Sequence, residues 1–189
     1  MKSLSLNILD IVQNSIRAEA KEITIGITES ATQDLYMIMI SDNGNGIPAE
    51  IVENVTDPFV TTGTTRNIGM GLPLLMHHAE MTGGSLKIRS NEGEGTEVIA
   101  TFSFSHLDRQ PLGDIIGVLI ILIAANPSIE FIYNHSTDEG DYCFSTSETK
   151  KYLGLDSLYE KSLLDDIGGM ISENLIEIGA TGFDKRENV

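Results

Sequence analysis

Two glycine-punctuated stretches hold the residue types in this chain that can do chemistry. Ser41 to Pro48 reads SDNGNGIP, an Asp at the end of an apolar run followed at once by Gly44 and Gly46. Thr56 to Leu75 reads TDPFVTTGTTRNIGMGLPLL, a threonine-rich loop running into Gly69-Met70-Gly71-Leu72. A carboxylate at a strand end is a fixed pair of acceptors, and glycines bring backbone N–H groups close to a ligand where side chains would block it. Together they describe a pocket for a nucleotide. Upstream, Asp10, Asn14 and Arg17 fall within one stripe of a helix at about 100° per residue, so a carboxylate, an amide and a guanidinium share a face. Alone, that stripe is an ordinary solvated face; beside the two glycine turns it becomes a candidate functional one.

The elements that must position these groups can be read in order. Leu4, Ile8, Val12 and Ile16 make one apolar stripe, predicting an amphipathic helix from about Leu4 to Ala18. Ile23, Ile25 and Ile27 alternate with Thr24, Gly26 and Thr28 as a half-buried strand, and LYMIMIS, after the turn ESATQD, returns as its hairpin partner to end at Asp42. Pro48 suits the first turn of a short helix to about Val55. Asp57 to Gly71 has the texture of a mobile loop and is the candidate lid. Leu72, Leu75, Met76 and Ala79 have helical spacing, so Gly69 to Leu72 is expected to be a helix N-terminus, which attracts anions. Gly83-Gly84 ends that helix, Leu86 and Ile88 mark a strand, SNEGEG a turn, and Val98, Ala100, Phe102 and Phe104 the last strand of the sheet. The fold class is α+β: a two-layer α/β sandwich, a mixed sheet covered by helices, over residues 1–105.

Residues 106–189 are expected to form a small α+β C-terminal appendage for packing or dimerisation. Asp114 caps an apolar helix that Asn126-Pro127 ends, IEFIYN and DYCFST form a hairpin, and helices follow from Ser147 to Leu153 and from Ser157 to about Ile178, the latter broken at Gly168-Gly169. No chemical motif is evident there.

Composition bounds the function. The 189 residues are 41% hydrophobic and 21% charged, as in a soluble globular protein. The net charge of −16 opposes nucleic acid and anionic membranes. The same field would repel a nucleotide, so a divalent cation and local Arg or Lys are expected at its phosphates. Cys143 is alone, which excludes a disulfide framework and fits a reducing cytoplasm. The apolar run Ile115 to Ala125 spans about 17 Å as a helix, against a hydrocarbon layer of roughly 30 Å, and reads as buried. The N-terminal residues, interrupted by Asn, Asp and Gln, do not read as a secretory signal.

Several segments resemble, in order, the boxes of the GHKL ATPases, the group of gyrase, the heat-shock chaperone, histidine kinases and MutL-type mismatch-repair proteins. LDIVQNSIRAEAKEITI resembles the N-box helix, SDNGNGIP the first glycine box, DPFVTT the F-box of histidine kinase catalytic domains, and Gly69-Met70-Gly71-Leu72 the second glycine box; Gly93-Glu94-Gly95-Thr96 matches the last. The resemblance, over about residues 4 to 104, implies the Bergerat-type sandwich and ATP with Mg²⁺ as cofactors. It implies Asn14 as the metal ligand, Asp42 as reader of the adenine amino group, and Thr96 as a further hold on the base. It further implies nucleotide contacts from Arg17, Gly44, Gly46, Ile47, Phe59, Thr61, Thr62, Arg66, Gly69, Met70, Gly71 and Leu72. Asp10 stands where gyrase-like members resemble a glutamate base and histidine kinases carry Asn or His, so it is a candidate catalytic group beside Asn14. His77 and His78 are expected to be structural or solvated; His106 and His135 have no motif around them. The resemblance implies phosphotransfer in trans to a partner protein. The alternatives are an ATPase or an ATP-gated switch working through dimerisation, and a non-catalytic binding scaffold.

Overall fold

The alternation read along the strands dictates a sheet with one buried face. The computed structural model describes residues 3–47 and 71–183. In chain order it contains α1 (Leu4–Arg17), β1 (Glu22–Ser30), β2 (Leu35–Asp42), α2 (Gly71–Met81), β3 (Ser85–Asn91), β4 (Gly95–Ser103), α3 (Ile115–Ala125), β5 (Glu130–Ser136), β6 (Asp141–Ser145), α4 (Thr146–Leu153) and α5 (Lys161–Glu177). Ile23, Ile25 and Ile27 of β1, Tyr36, Ile38 and Ile40 of β2, and Val98, Ala100 and Phe102 of β4 are all buried, while their sequence neighbours stay half-exposed. These side chains and the apolar stripes of α1, α2, α3 and α5 form one hydrophobic cluster. Helices therefore cover one face of the sheet, and the chain is a two-layer sandwich.

The sheet has six strands in the order β3-β4-β2-β1-β5-β6. All neighbours are antiparallel except β1 and β5, which run parallel from the Glu22–Glu130 pair to Thr28–Ser136. β4 is thus an interior strand, and the hairpin of β5 and β6 is added on the far side of β1. Residues after 105 build onto the sheet and core begun by the N-terminal ones: Phe131 and Tyr133 lie in the same cluster as Ile25. The same segment caps α1. Ser3 makes no side-chain cap, and the N–H groups of Leu4 and Ser5 donate instead to the carbonyls of Pro111 (3.0 Å) and Leu112 (2.8 Å).

Asp114 accepts from the N–H of Gly117 and caps α3; Gly154 ends α4 in the left-handed region. The break expected at Gly168-Gly169 is absent, since α5 is continuous through both. Burial of Leu164, Ile167, Ile171 and Leu175 outweighs a penalty of about 1 kcal/mol per glycine.

One buried polar cluster was not legible beforehand. His135, fully buried, shares hydrogen bonds with Tyr133 Oη (2.7 Å at Nδ1) and Glu29 Oε1 (2.9 Å at Nε2), and the N–H of Thr181 donates to the Glu29 carboxylate. Burial raises the pKa of Glu29, but the bonds from His135 and Thr181 outweigh it and hold the group below the ordinary carboxylate value.

Candidate nucleotide site

Asp42 is the last residue of β2, and the register lays a polar row across the sheet beside it: Asp42 pairs with Thr96 of β4, and Thr96 with Ser90 of β3. Cross-strand partners on one face lie about 5 Å apart, so the three side chains are neighbours. Both carboxylate oxygens of Asp42 are oriented. Ser15 Oγ donates to Oδ2 at 2.5 Å, and the N–H of Gly44 donates to Oδ1 at 2.9 Å. Each oxygen retains acceptor capacity, which an amino group can use.

The turn after Asp42 is fixed from three sides. Asn43 Oδ1 accepts from the N–H groups of Lys21 and Glu22, the N–H of Asn45 donates to the Ala18 carbonyl, and the N–H of Ile47 donates to Ser90 Oγ at 2.7 Å. Gly46 has φ +67, and a Cβ there would lie 2.0 Å from the carbonyl oxygen of Asn91. Only glycine satisfies that turn. At this end of the sheet lies an open cavity of about 610 Å³, with Asp42, Ser90, Asn91, Gly95 and Thr96 among its lining residues.

α1 brings the remaining candidates alongside. Ser15 donates to Asp42, which ties α1 to the end of β2 one residue after Asn14 in the chain. Asn14 Oδ1 accepts from Arg17 Nη1 at 2.9 Å, while its Nδ2 is buried with no partner. Asp10 reaches the start of α2: a Cβ on Gly71 would sit 1.9 Å from Asp10 Oδ2, so the two elements meet through a glycine. Leu72 is buried in the first turn of α2, where its side chain serves the core. Phe59, Thr61, Thr62, Arg66, Gly69 and Met70, with the expected lid and the helix from Pro48, lie outside the described residues.

The groups on α1 suit a hard cation that keeps most of its waters. Among the described residues no cluster of three His, Cys, Asp or Glu could cage a metal ion. Asn14 Oδ1, paired with the Arg17 guanidinium, is an amide oxygen of the kind that would suit such a cation. The orphaned Nδ2 is consistent with an amide held for a ligand.

Four contributors were missed in the sequence. Ser15 and Ser90 are single hydroxyls inside an expected helix and strand, with no spacing to mark them. Asn43 and Asn45 had a signal, since Asn before glycine is a turn former whose side chain binds nearby backbone. His77 is exposed, and His78 hydrogen-bonds with Gln110 at 3.0 Å, tying α2 to the segment after β4. Burial, and then the charge of His77, lower the pKa of His78.

Residues 2–106 match the family model described as histidine kinase-, DNA gyrase B-, and HSP90-like ATPase. The CAI-1 autoinducer sensor kinase/phosphatase CqsS of Vibrio cholerae is 25% identical over 147 residues, 75% of this chain and 21% of that protein. Sporulation kinase C of Bacillus subtilis is 32% identical over 47% of this chain and 20% of its own length. The chain thus spans about a fifth of these curated relatives. Among solved structures, the Aquifex aeolicus MutL ATPase domain complexed with ADP has a TM-score of 0.50 at 17% identity, over 82% of this chain and 70% of that one. The N-terminal domain of a DNA repair protein has a TM-score of 0.57 at 20% identity, covering 77% and 53%. At these identities the structures speak for the fold.

Proposed function

Because the chain belongs to the histidine kinase-, DNA gyrase B-, and HSP90-like ATPase family and carries an ATP-binding domain of histidine-kinase type, we propose that it binds ATP with Mg²⁺ in the cavity beside Asp42 and transfers phosphate in trans to a partner protein. The observation that supports this best is the Asp42 carboxylate, oriented by the Gly44 N–H and by Ser15, the residue that follows Asn14 in the chain. Its free lone pairs accept from an adenine amino group and oppose a carbonyl at the same place. Asn14 Oδ1 would hold Mg²⁺ once Arg17 turns to the phosphates, a role that suits a guanidinium fork. A divalent cation held there would supply charge neutralisation at the phosphates. The start of α2 at Gly71 offers N–H groups to the same phosphates.

The similarity to sensor kinases favours transfer over simple hydrolysis. A partner supplying the phosphoacceptor, a second copy of this chain held through residues 106–189, and a cytoplasmic setting all belong to this proposal. No helix among the described residues is long and apolar enough to cross a membrane. The test is calorimetric titration with ATP·Mg²⁺ and GTP·Mg²⁺, with Asp42→Asn alongside and labelled phosphate followed onto proteins of a cognate extract. ATP-selective binding lost in Asp42→Asn, with label appearing on a partner and abolished by Asn14→Ala, is the expected result. Binding without selectivity, or ATP binding with no acceptor ever labelled, would count against the assignment.

One observation favours the second reading, a hydrolase. The Asp10 carboxylate stands against Gly71 at the helix start where phosphates would lie, a position from which it can orient water. Steady phosphate release without a partner, lost in Asp10→Asn, would establish that reading; unchanged release in that variant would remove Asp10 as the base.

A further inference from the structure

We infer that Ser90 of β3 sets the purine preference of the pocket by fixing the direction in which the Thr96 hydroxyl can hydrogen-bond; the inference rests on the nucleotide reading of the Asp42 site. A hydroxyl has one proton and two lone pairs. Ser90 Oγ has three neighbours: the N–H of Ile47 at 2.7 Å, the carbonyl of Gly95 at 2.9 Å and Thr96 Oγ1 at 2.9 Å. An amide N–H can only donate and a carbonyl can only accept. The Ser90 proton therefore goes to Gly95, one lone pair takes Ile47, and the other must take the proton of Thr96.

The consequence reaches the cavity. With its proton committed to Ser90, Thr96 Oγ1 offers only lone pairs outward. Asp42, next in the cross-strand row, likewise offers only lone pairs, since Ser15 and Gly44 are both donors to it. This wall is acceptor-only. It takes an amino group, and it sets acceptor against acceptor when a carbonyl occupies the same place, which is the condition under which polar sites discriminate most strongly. Removing the Ser90 hydroxyl frees the Thr96 proton to donate outward. Ser90 is then a positioning residue that acts through Thr96.

The experiment measures Kd for ATP and for inosine triphosphate, which carries a carbonyl in place of the amino group, on the full chain and on Ser90→Ala, Ser90→Thr and Thr96→Val. The unaltered protein is expected to prefer ATP. Ser90→Ala should narrow the ratio of the two Kd values by about 3- to 10-fold, the worth of one neutral hydrogen bond. Ser90→Thr, which keeps the hydroxyl, should restore it. Thr96→Val should narrow the ratio by itself and make Ser90→Ala silent on top of it. If Ser90→Ala weakens both nucleotides equally, Ser90 is a strut and the inference is overturned while ATP binding stands. If Ser90→Ala does not fold, Thr96→Val carries the test, and a ratio unchanged in it overturns the inference as well. Binding of neither nucleotide by the unaltered protein overturns the reading of the site and this inference with it.

Discussion

The Asp42 carboxylate is oriented by the Gly44 N–H within its own turn and by the Ser15 hydroxyl, which the sequence places 27 residues upstream. Ser15→Ala is expected to leave the fold intact and to weaken ATP binding by about 3- to 10-fold, one hydrogen bond to a charged or neutral partner; calorimetry beside a thermal melt separates the two effects. Glu29 is the other carboxylate whose environment decides its behaviour. Its folded pKa lies below the unfolded value, net of burial, because His135 and Thr181 donate to the ionised form. Such a group contributes stability that is fully present above the unfolded pKa of about 4.3 and is lost as pH falls through the folded one. Glu29→Gln should therefore flatten the fall in stability between pH 5 and pH 3, read from urea midpoints across that range. A slope equal to that of the unaltered protein would mean that His135 and Thr181 do not favour the ionised Glu29.

Among the elements, α1 is the one whose displacement would cost most, because it carries Asp10, Asn14 and Ser15 together. Its start is held by carbonyls of the segment after β4 and its end by the turn around Gly46. Gly46→Ala would force φ +67 on a residue with a Cβ aimed at a backbone oxygen 2.0 Å away, which should cost about 2 kcal/mol or more and abolish nucleotide binding. By contrast, a Cβ at Gly169 in the interior of α5 meets nothing within 4 Å. Gly169→Ala is expected to raise stability by about 0.5–1 kcal/mol, seen as a higher Tm without change in ligand affinity. A lower Tm would mean that α5 needs the flexibility of its glycine pair.

At the scale of the molecule, the C-terminal residues complete the sheet. β5 supplies the parallel neighbour of β1, and Phe131 and Tyr133 bury side chains worth about 1.5–3 kcal/mol each against the shared core. A chain ending at residue 105 would lose these, together with the carbonyls that cap α1. We expect it to be unfolded or aggregated at 25 °C, as judged by circular dichroism and light scattering; a cooperative melt near that of the full chain would show that the N-terminal part stands alone. The same segment carries the exposed apolar side chains of Tyr152, Leu153, Leu155 and Tyr159, the surface through which the proposed contact with a partner or a second copy would act.

The sequence by itself determined most of what is local. Period-two and period-3.6 alternation located the strands and helices around the site, and the glycines after Asp42 marked a turn that only glycine can make, because these patterns follow from backbone geometry and from neighbours close in the chain. The positions of Asp42 at the end of β2 and of Asn14 on α1 were legible for the same reason: each follows from the pattern of its own element. Tertiary structure decided what depends on distant residues. It seated β5 beside β1, carried α5 through two glycines, paired Glu29 with His135 across 106 positions, and gave Ser15 and Ser90 their hydrogen-bond partners. A single hydroxyl acquires a function only from the atoms brought around it, and those atoms come from strands and helices whose register no local pattern encodes.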